Sequence, residues 1–154
     1  MPMLTSPRVR SRGTAALEFA LVCPVLLLML GGLSDYALLI WTKNRLADGV
    51  AQAAQYAFIT GISVTSAGIS SVVQNAASLP SAVVNTPSPI TACYCVTSAG
   101  SPAQVQTCGQ PCPDQSTPGT YVSISATYQY QPLMPLLSLM TSPQISESAF
   151  VRLQ

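Results

Sequence analysis

Residues 13–34 read Gly-Thr-Ala-Ala-Leu-Glu-Phe-Ala-Leu-Val-Cys-Pro-Val-Leu-Leu-Leu-Met-Leu-Gly-Gly-Leu-Ser, and this stretch decides the fold. Glu18 is its single charge. The segment from Thr14 to Ser34 spans about 31 Å as a helix at ~1.5 Å per residue, the depth of a bilayer's hydrocarbon core. Asp35 interrupts the apolar run and Tyr36 to Trp41 resumes it. Tyr36 and Trp41 are amphipathic rings of the kind that settle at a headgroup layer. Lys43, Arg45 and Asp48 follow and are expected in water. Arg8, Arg10 and Arg12 precede the helix, against Lys43 and Arg45 beyond it, a bias towards a cytoplasmic N-terminus.

The rest of the composition agrees. Of 154 residues only 7% are charged, and none is histidine. The mean hydropathy is +0.41. An ordinary soluble domain carries about 25% charged residues, so composition argues against a soluble cytosolic enzyme. Lacking histidine, the chain lacks the commonest general base and a common metal ligand. A formal charge of +1 offers no polyanion surface and hence no nucleic-acid partner. The chain reads as a non-enzyme with no cofactor and no small-molecule substrate. A hydrolase using Thr14 as an N-terminal nucleophile is disfavoured, since that residue would sit at the membrane edge beside Glu18.

Signal-peptide readings fail on local chemistry. A cut after Ala37 would put Asp35 where a small residue is needed. Cys23 begins the apolar run rather than ending it and follows Val22, so a lipoprotein signal does not fit either. A retained anchor is the better reading. Pro24 removes one helical hydrogen bond and introduces a kink, and Gly31-Gly32 permits close helix approach. Cys23 reads as an inert apolar residue.

Glu18 admits two accounts. In a helix's first turn it complements the macrodipole, worth about 0.3–1 kcal/mol. Alternatively it sits at the membrane boundary to meet a cation, because ionisable groups in bilayer segments cost about 2.5–3.5 kcal/mol at the centre and mark function. A cut between Gly13 and Thr14 would supply that cation as a new α-amino group one turn away.

Gly13 followed by Glu18 ahead of an apolar helix resembles the cleavage site of type IV prepilin-like proteins. The wider run from Arg12 to Val22, with Pro24, Leu26-Leu27-Leu28, Gly32, Asp35-Tyr36 and the segment Ala51 to Ala57, resembles the TadE-like pseudopilins of tight-adherence (Flp) pilus systems. The resemblance covers residues 12–57. It departs at Asp35, where glutamate is usual, and at Gln55, where arginine is often found. It implies a bacterial inner-membrane, single-pass protein with its C-terminal domain in the periplasm, either built into a surface fibre or kept in the membrane as a scaffold. It further implies a prepilin peptidase cutting between Gly13 and Thr14, and partners among sister pseudopilins and the assembly platform. In that setting the Thr14 ammonium and Glu18 fix subunit register. The competing function is a generic single-pass anchored protein whose outer domain binds an extracytoplasmic ligand.

Beyond Lys43 the helix is expected to run to about Ile59, with Leu46, Val50, Ala53 and Ala57 on one face. Ala47, Ala51 and Ala54 form an adjoining face suited either to bundling or to packing on the chain's own domain. Thr65 or Ser66 caps a second helix bearing Ile69, Val72, Val73 and Ala76, closed by Pro80. Asn85 to Pro89 reads as a turn or linker. Strands are expected at 90–96, at 121–130, where Val122, Ile124, Ala126, Tyr128 and Tyr130 alternate with polar residues, and at 145–153. The apolar connection from Leu133 to Met140 either covers the sheet or presents a patch to a partner. The fold class is α+β, a long transmembrane helix extended into a small disulfide-bonded antiparallel β domain. The expected divisions are a leader at 1–13, the transmembrane helix at 14–42, a helical stalk at 43–80 and a β-rich domain at 81–154.

Cys93, Cys95, Cys108 and Cys112 lie within one short stretch and permit three pairings. Cys93 and Cys95 face the same way on a strand, which favours two bridges to the loop carrying Cys108 and Cys112. Tetrahedral zinc is the rival, but the spacing is not C-x2-C and an oxidising compartment favours disulfides.

Overall fold

The computed structural model describes residues 12–86, 90–96, 102–104, 108–133 and 143–153. Its first element, α1, runs unbroken over Arg12–Thr60 with Pro24 inside. Its apolar N-terminal part is exposed; the largest side chains between Leu17 and Leu33 are about half to three-quarters accessible. At Asp35 the environment changes. Asp35 and Thr42 are buried, and Leu46, Val50, Ala53 and Ala57 lie inside the core as the 4-3-4 spacing predicts. The Thr42 hydroxyl donates back to the Leu38 carbonyl at 2.8 Å, which lets a polar residue sit on that face.

Gly61 ends α1 in the left-handed region, at φ 64°, a conformation open to glycine at no steric cost. A single 3-10 turn over Gly61–Ser63 leads to Thr65, whose hydroxyl accepts from the Gly68 N–H at 3.2 Å and caps α2, Ser66–Ala77. Ile69, Val73 and Ala77 of α2 are fully buried. The expected Ala76 gives way to Ala77 as the most buried residue of the last turn. The helix stops before Pro80 because Ser78 turns left-handed, and the Leu79 N–H then returns to the Gln74 carbonyl at 3.2 Å. The two helices cross closely at Gly49: a Cβ built there would stand 2.9 Å from the Val73 carbonyl oxygen and 3.0 Å from the Ala77 Cβ.

Among the described residues five strands follow, all pairing antiparallel: β1 Val83–Asn85, β2 Thr91–Val96, β3 Pro102–Gln104, β4 Gly119–Gln129 and β5 Gln144–Arg152. β4 is the spine. β5 lines one of its edges from Tyr121↔Arg152 to Gln129↔Gln144. β1 and β2 share the other edge end to end, at Asn85↔Ser125 and Thr91↔Val122, and β3 adds to β2. Strand alternation turns Val122, Ile124, Ala126 and Tyr130 towards the helices, where they join Ile145 and Leu153 of the β5 region. Each buried valine, isoleucine or leucine among them contributes about 1.5–3 kcal/mol of transfer free energy. On the opposite face Tyr121 stacks on Phe150 at 4.8 Å between centroids, with Tyr94 edge-on to Phe150 at 4.7 Å.

The fold is therefore the expected α+β arrangement of a long apolar helix followed by a disulfide-bonded antiparallel sheet. The stretch expected as a stalk shares one core with the strands, since α1, α2, β4 and β5 all contribute to it. β1 lies partly within the segment expected as a linker; it survives there because the Ser125 hydroxyl donates to the Asn85 carbonyl at 3.2 Å, beside its three ladder pairs. Of the connection expected at Leu133–Met140, Leu133 is described and exposed, and the remainder lies outside the described residues.

Candidate functional site

The sequence singled out Gly13, Thr14 and Glu18, and the structure places all three on the exposed N-terminal part of α1. Thr14 and Glu18 are one turn apart, so they share a helix face. α1 is described from Arg12 onward and has no acid in its first turn. In the uncut chain Glu18 is thus too far along to complement the helix terminus, an effect that fades within one turn. A Cβ at Gly13 would meet nothing within 4 Å, so packing does not require glycine there. Cys23 is a free thiol, half-buried on the same segment.

A second group forms where the exposed helix meets the domain. Asp35 is 3% exposed, and its Oδ1 accepts the backbone N–H of Leu133 at 2.8 Å. The Tyr130 hydroxyl donates to the backbone carbonyl of Asp35 at 3.2 Å. Burial pushes the Tyr130 phenol above its ordinary pKa near 10, and the neighbouring Asp35 carboxylate adds to the shift. These contacts span 95 and 98 residues of sequence and clamp the end of β4 to the helix. A cleft of about 230 Å³ opens beside them, lined by Gly32, Asp35, Tyr36, Leu39, Tyr130, Pro132 and Pro143. Sequence reasoning took Asp35 as an interruption of the apolar run and did not find this contact. No local pattern announces a partner so distant in the chain. Tyr36 and Trp41 stay exposed nearby, with the Arg45 guanidinium over the Trp41 ring at 4.7 Å.

On β2, between β4 and β3, Cys93 is bonded to Cys108 and Cys95 to Cys112, with Cα separations of 5.4 and 5.7 Å. Both strand cysteines point to one face, and each reaches the loop that follows β3. That loop is tied down further along. The Gln115 N–H bonds to the Cys112 carbonyl at 2.8 Å, and Cys112 N–H to the Ser116 carbonyl at 2.9 Å. Asp114 accepts from the Ser116 hydroxyl at 2.7 Å and from its N–H at 3.1 Å, which holds its carboxyl below the ordinary range. Among the described residues no group of three or more His, Cys, Asp or Glu side chains is placed to hold a metal.

A helix of membrane-spanning length and composition therefore carries a small two-layer α+β domain. Residues 13–55 match the family described as TadE-like protein, which agrees with the resemblance seen over residues 12–57. That family is associated with pilus assembly. No curated protein and no solved structure matches the chain.

Proposed function

We propose that the protein is a minor pilin or pseudopilin of a tight-adherence fibre, cut by a prepilin peptidase between Gly13 and Thr14. One observation carries the reading: the family match begins at Gly13, where a solvent-accessible apolar helix with one acid begins. A peptidase needs an accessible bond, and α1 buries neither Gly13 nor Thr14. After the cut, the Thr14 ammonium and the Glu18 carboxylate lie on one helix face, on the same chain or on neighbours. Their pairing neutralises both charges at the lipid border and fixes register, a role that ion pairs serve more reliably than they stabilise.

Burial supports the following domain layout. Residues 1–13 form the leader. Residues 14–34 lie in lipid, because their large apolar side chains are exposed, and Asp35 marks the exit. The segment from Asp35 onward, helices included, folds as one periplasmic unit, with Tyr36 and Trp41 at the headgroups. This divides the chain at 34, ahead of the boundary at 42 expected from hydropathy, since residues 35–42 already pack on the sheet or α2 at Asp35, Leu38, Leu39 and Thr42. Sister pseudopilins and the inner-membrane platform are the partners of the exposed apolar segment. The two disulfides suit that oxidising compartment.

N-terminal sequencing of the protein from its native membrane tests the reading. Thr14 as first residue supports it, and an intact Met1 refutes it. Glu18→Ala should still be cut yet fail to enter fibres; normal piliation by that variant rejects the register role.

A further inference from the structure

Along α1, beside the stripe that packs on the domain core, a second set of residues falls into a seam that runs past Val151 of the sheet. Ile40, Asn44, Ala47, Ala51, Ala54 and Phe58 follow one another at alternating steps of four and three. The same phase continues back through Ala37, Leu33, Leu30 and Leu26 into the apolar segment. Sustained 3-4 spacing is the pattern that keeps one seam of a helix facing a neighbouring helix. The seam is distinct from the buried face of Leu46, Val50, Ala53 and Ala57, which the chain's own α2 and sheet cover. Ile40 and Phe58 are 40% and 47% exposed, Asn44 and Ala51 are exposed, and only Ala47 and Ala54 are half-covered.

We propose that this seam packs against the same seam of a second copy, forming a parallel, in-register pair of α1 helices. The proposal rests on the anchored reading for one point only: chains inserted the same way to the same depth present parallel helices in register. Given that geometry, the charges flanking the seam select a second copy as the occupant. Lys43 immediately precedes Asn44, and Asp48 immediately follows Ala47. They lie on opposite flanks five residues apart, the offset at which flanking side chains of two parallel helices meet. Each pair of helices thus brings Lys43 of one copy to Asp48 of the other, twice by symmetry. Tyr36 and Trp41 repeat the same five-residue offset one heptad earlier, pairing ring with ring. Asn44 lies in the seam opposite its own counterpart, and one such polar residue in an otherwise apolar seam fixes register and favours two strands. The alanines let the helix backbones approach closely. Lys43 also reaches Glu147 of its own chain, at 3.7 Å, and its side chain is still 58% exposed.

Full-length protein in native membranes, with Cys23→Ser as background, tests this by single cysteines and mild oxidation. Ala51→Cys and Ile40→Cys should each give a disulfide-linked homodimer, identified by mass, and Gln52→Cys should give none. Lys43→Asp should abolish the Ala51→Cys dimer, and Asp48→Lys added to it should restore the dimer. Restoration requires the contact between copies, because the internal Lys43–Glu147 pair stays broken in the double reversal. Equal linking at all three positions, adducts to a different protein alone, or no rescue overturns the proposal. N-terminal sequencing of the same samples separates the two ideas: cut chains that do not link refute only the pairing, and linked chains with an intact Met1 refute only the processing.

Discussion

Gly49→Ala is a substitution for which two principles give opposite signs, and the structure decides between them. Alanine is favoured over glycine inside a helix by about 0.8–1 kcal/mol, so propensity alone predicts a gain. The new methyl, however, would lie 2.9 Å from the Val73 carbonyl oxygen, 3.3 Å from the Ala77 amide nitrogen and 3.0 Å from the Ala77 Cβ. Two of these neighbours are backbone atoms of α2, so no flexible side chain can swing aside. Relief requires moving α2 away from α1, and α2 carries Ile69 and Val73, both fully buried. Overpacking of this kind costs about 1–3 kcal/mol, which outweighs the propensity term over most of its range. The net loss of up to about 2 kcal/mol corresponds to a drop in Tm of several degrees, at ~4–8 °C per kcal/mol for a domain of this size. Thermal unfolding of the full chain in detergent, followed by near-UV circular dichroism, reads this out. Gln52→Gly, exposed one turn from the crossing, serves as control and should lower Tm through propensity alone. If Gly49→Ala raises Tm while the control lowers it, propensity governs both sites and the tight α1–α2 crossing is refuted.

Two further outcomes follow from contacts described above. Removing the Cys95–Cys112 bridge as a Cys→Ser pair frees a loop with a sequence separation of 17, a loss of about 3 kcal/mol, which chemical denaturation should show as a lower midpoint. An unchanged midpoint would mean that the loop is held by its turn hydrogen bonds alone. The raised phenol of Tyr130 makes stability fall at high pH. Its contribution is intact below the unfolded pKa near 10 and is lost as pH rises from there through the folded value, because the unfolded chain releases that proton first. Tyr130→Phe should flatten the alkaline limb of the stability profile, and an identical limb in the variant would refute the assignment.

Elements with sustained periodicity were legible from sequence. The buried face of α1, the α2 face with its Thr65 cap, and the alternation of Val122, Ile124 and Ala126 all follow from spacing. The same holds for the shared direction of Cys93 and Cys95, which places both sulfurs towards one loop. Three-residue strands carry no period, so β1 and β3 were not legible, and β1 overlaps a proline-rich stretch that signals a turn. The outer aromatic group was missed for a different reason. Tyr94, Tyr121 and Phe150 each look polar-side by alternation, and only strand register brings them together. At the candidate site, Gly13, Thr14 and Glu18 stood out in the sequence because their signal is local. The docking of Asp35 depends on the end of β4, and nothing within one helix turn encodes that.

Anchor and domain core share one uninterrupted α1, and this has a mechanical consequence. Between Asp35 and Thr60 the rod contains no proline, and its one proline, Pro24, lies lower, among the lipid-facing residues. Bending is thus confined below the folded unit, which must tilt and turn as the rod does. A pull applied to the sheet travels down a stiff lever to the bilayer without a swivel to absorb it.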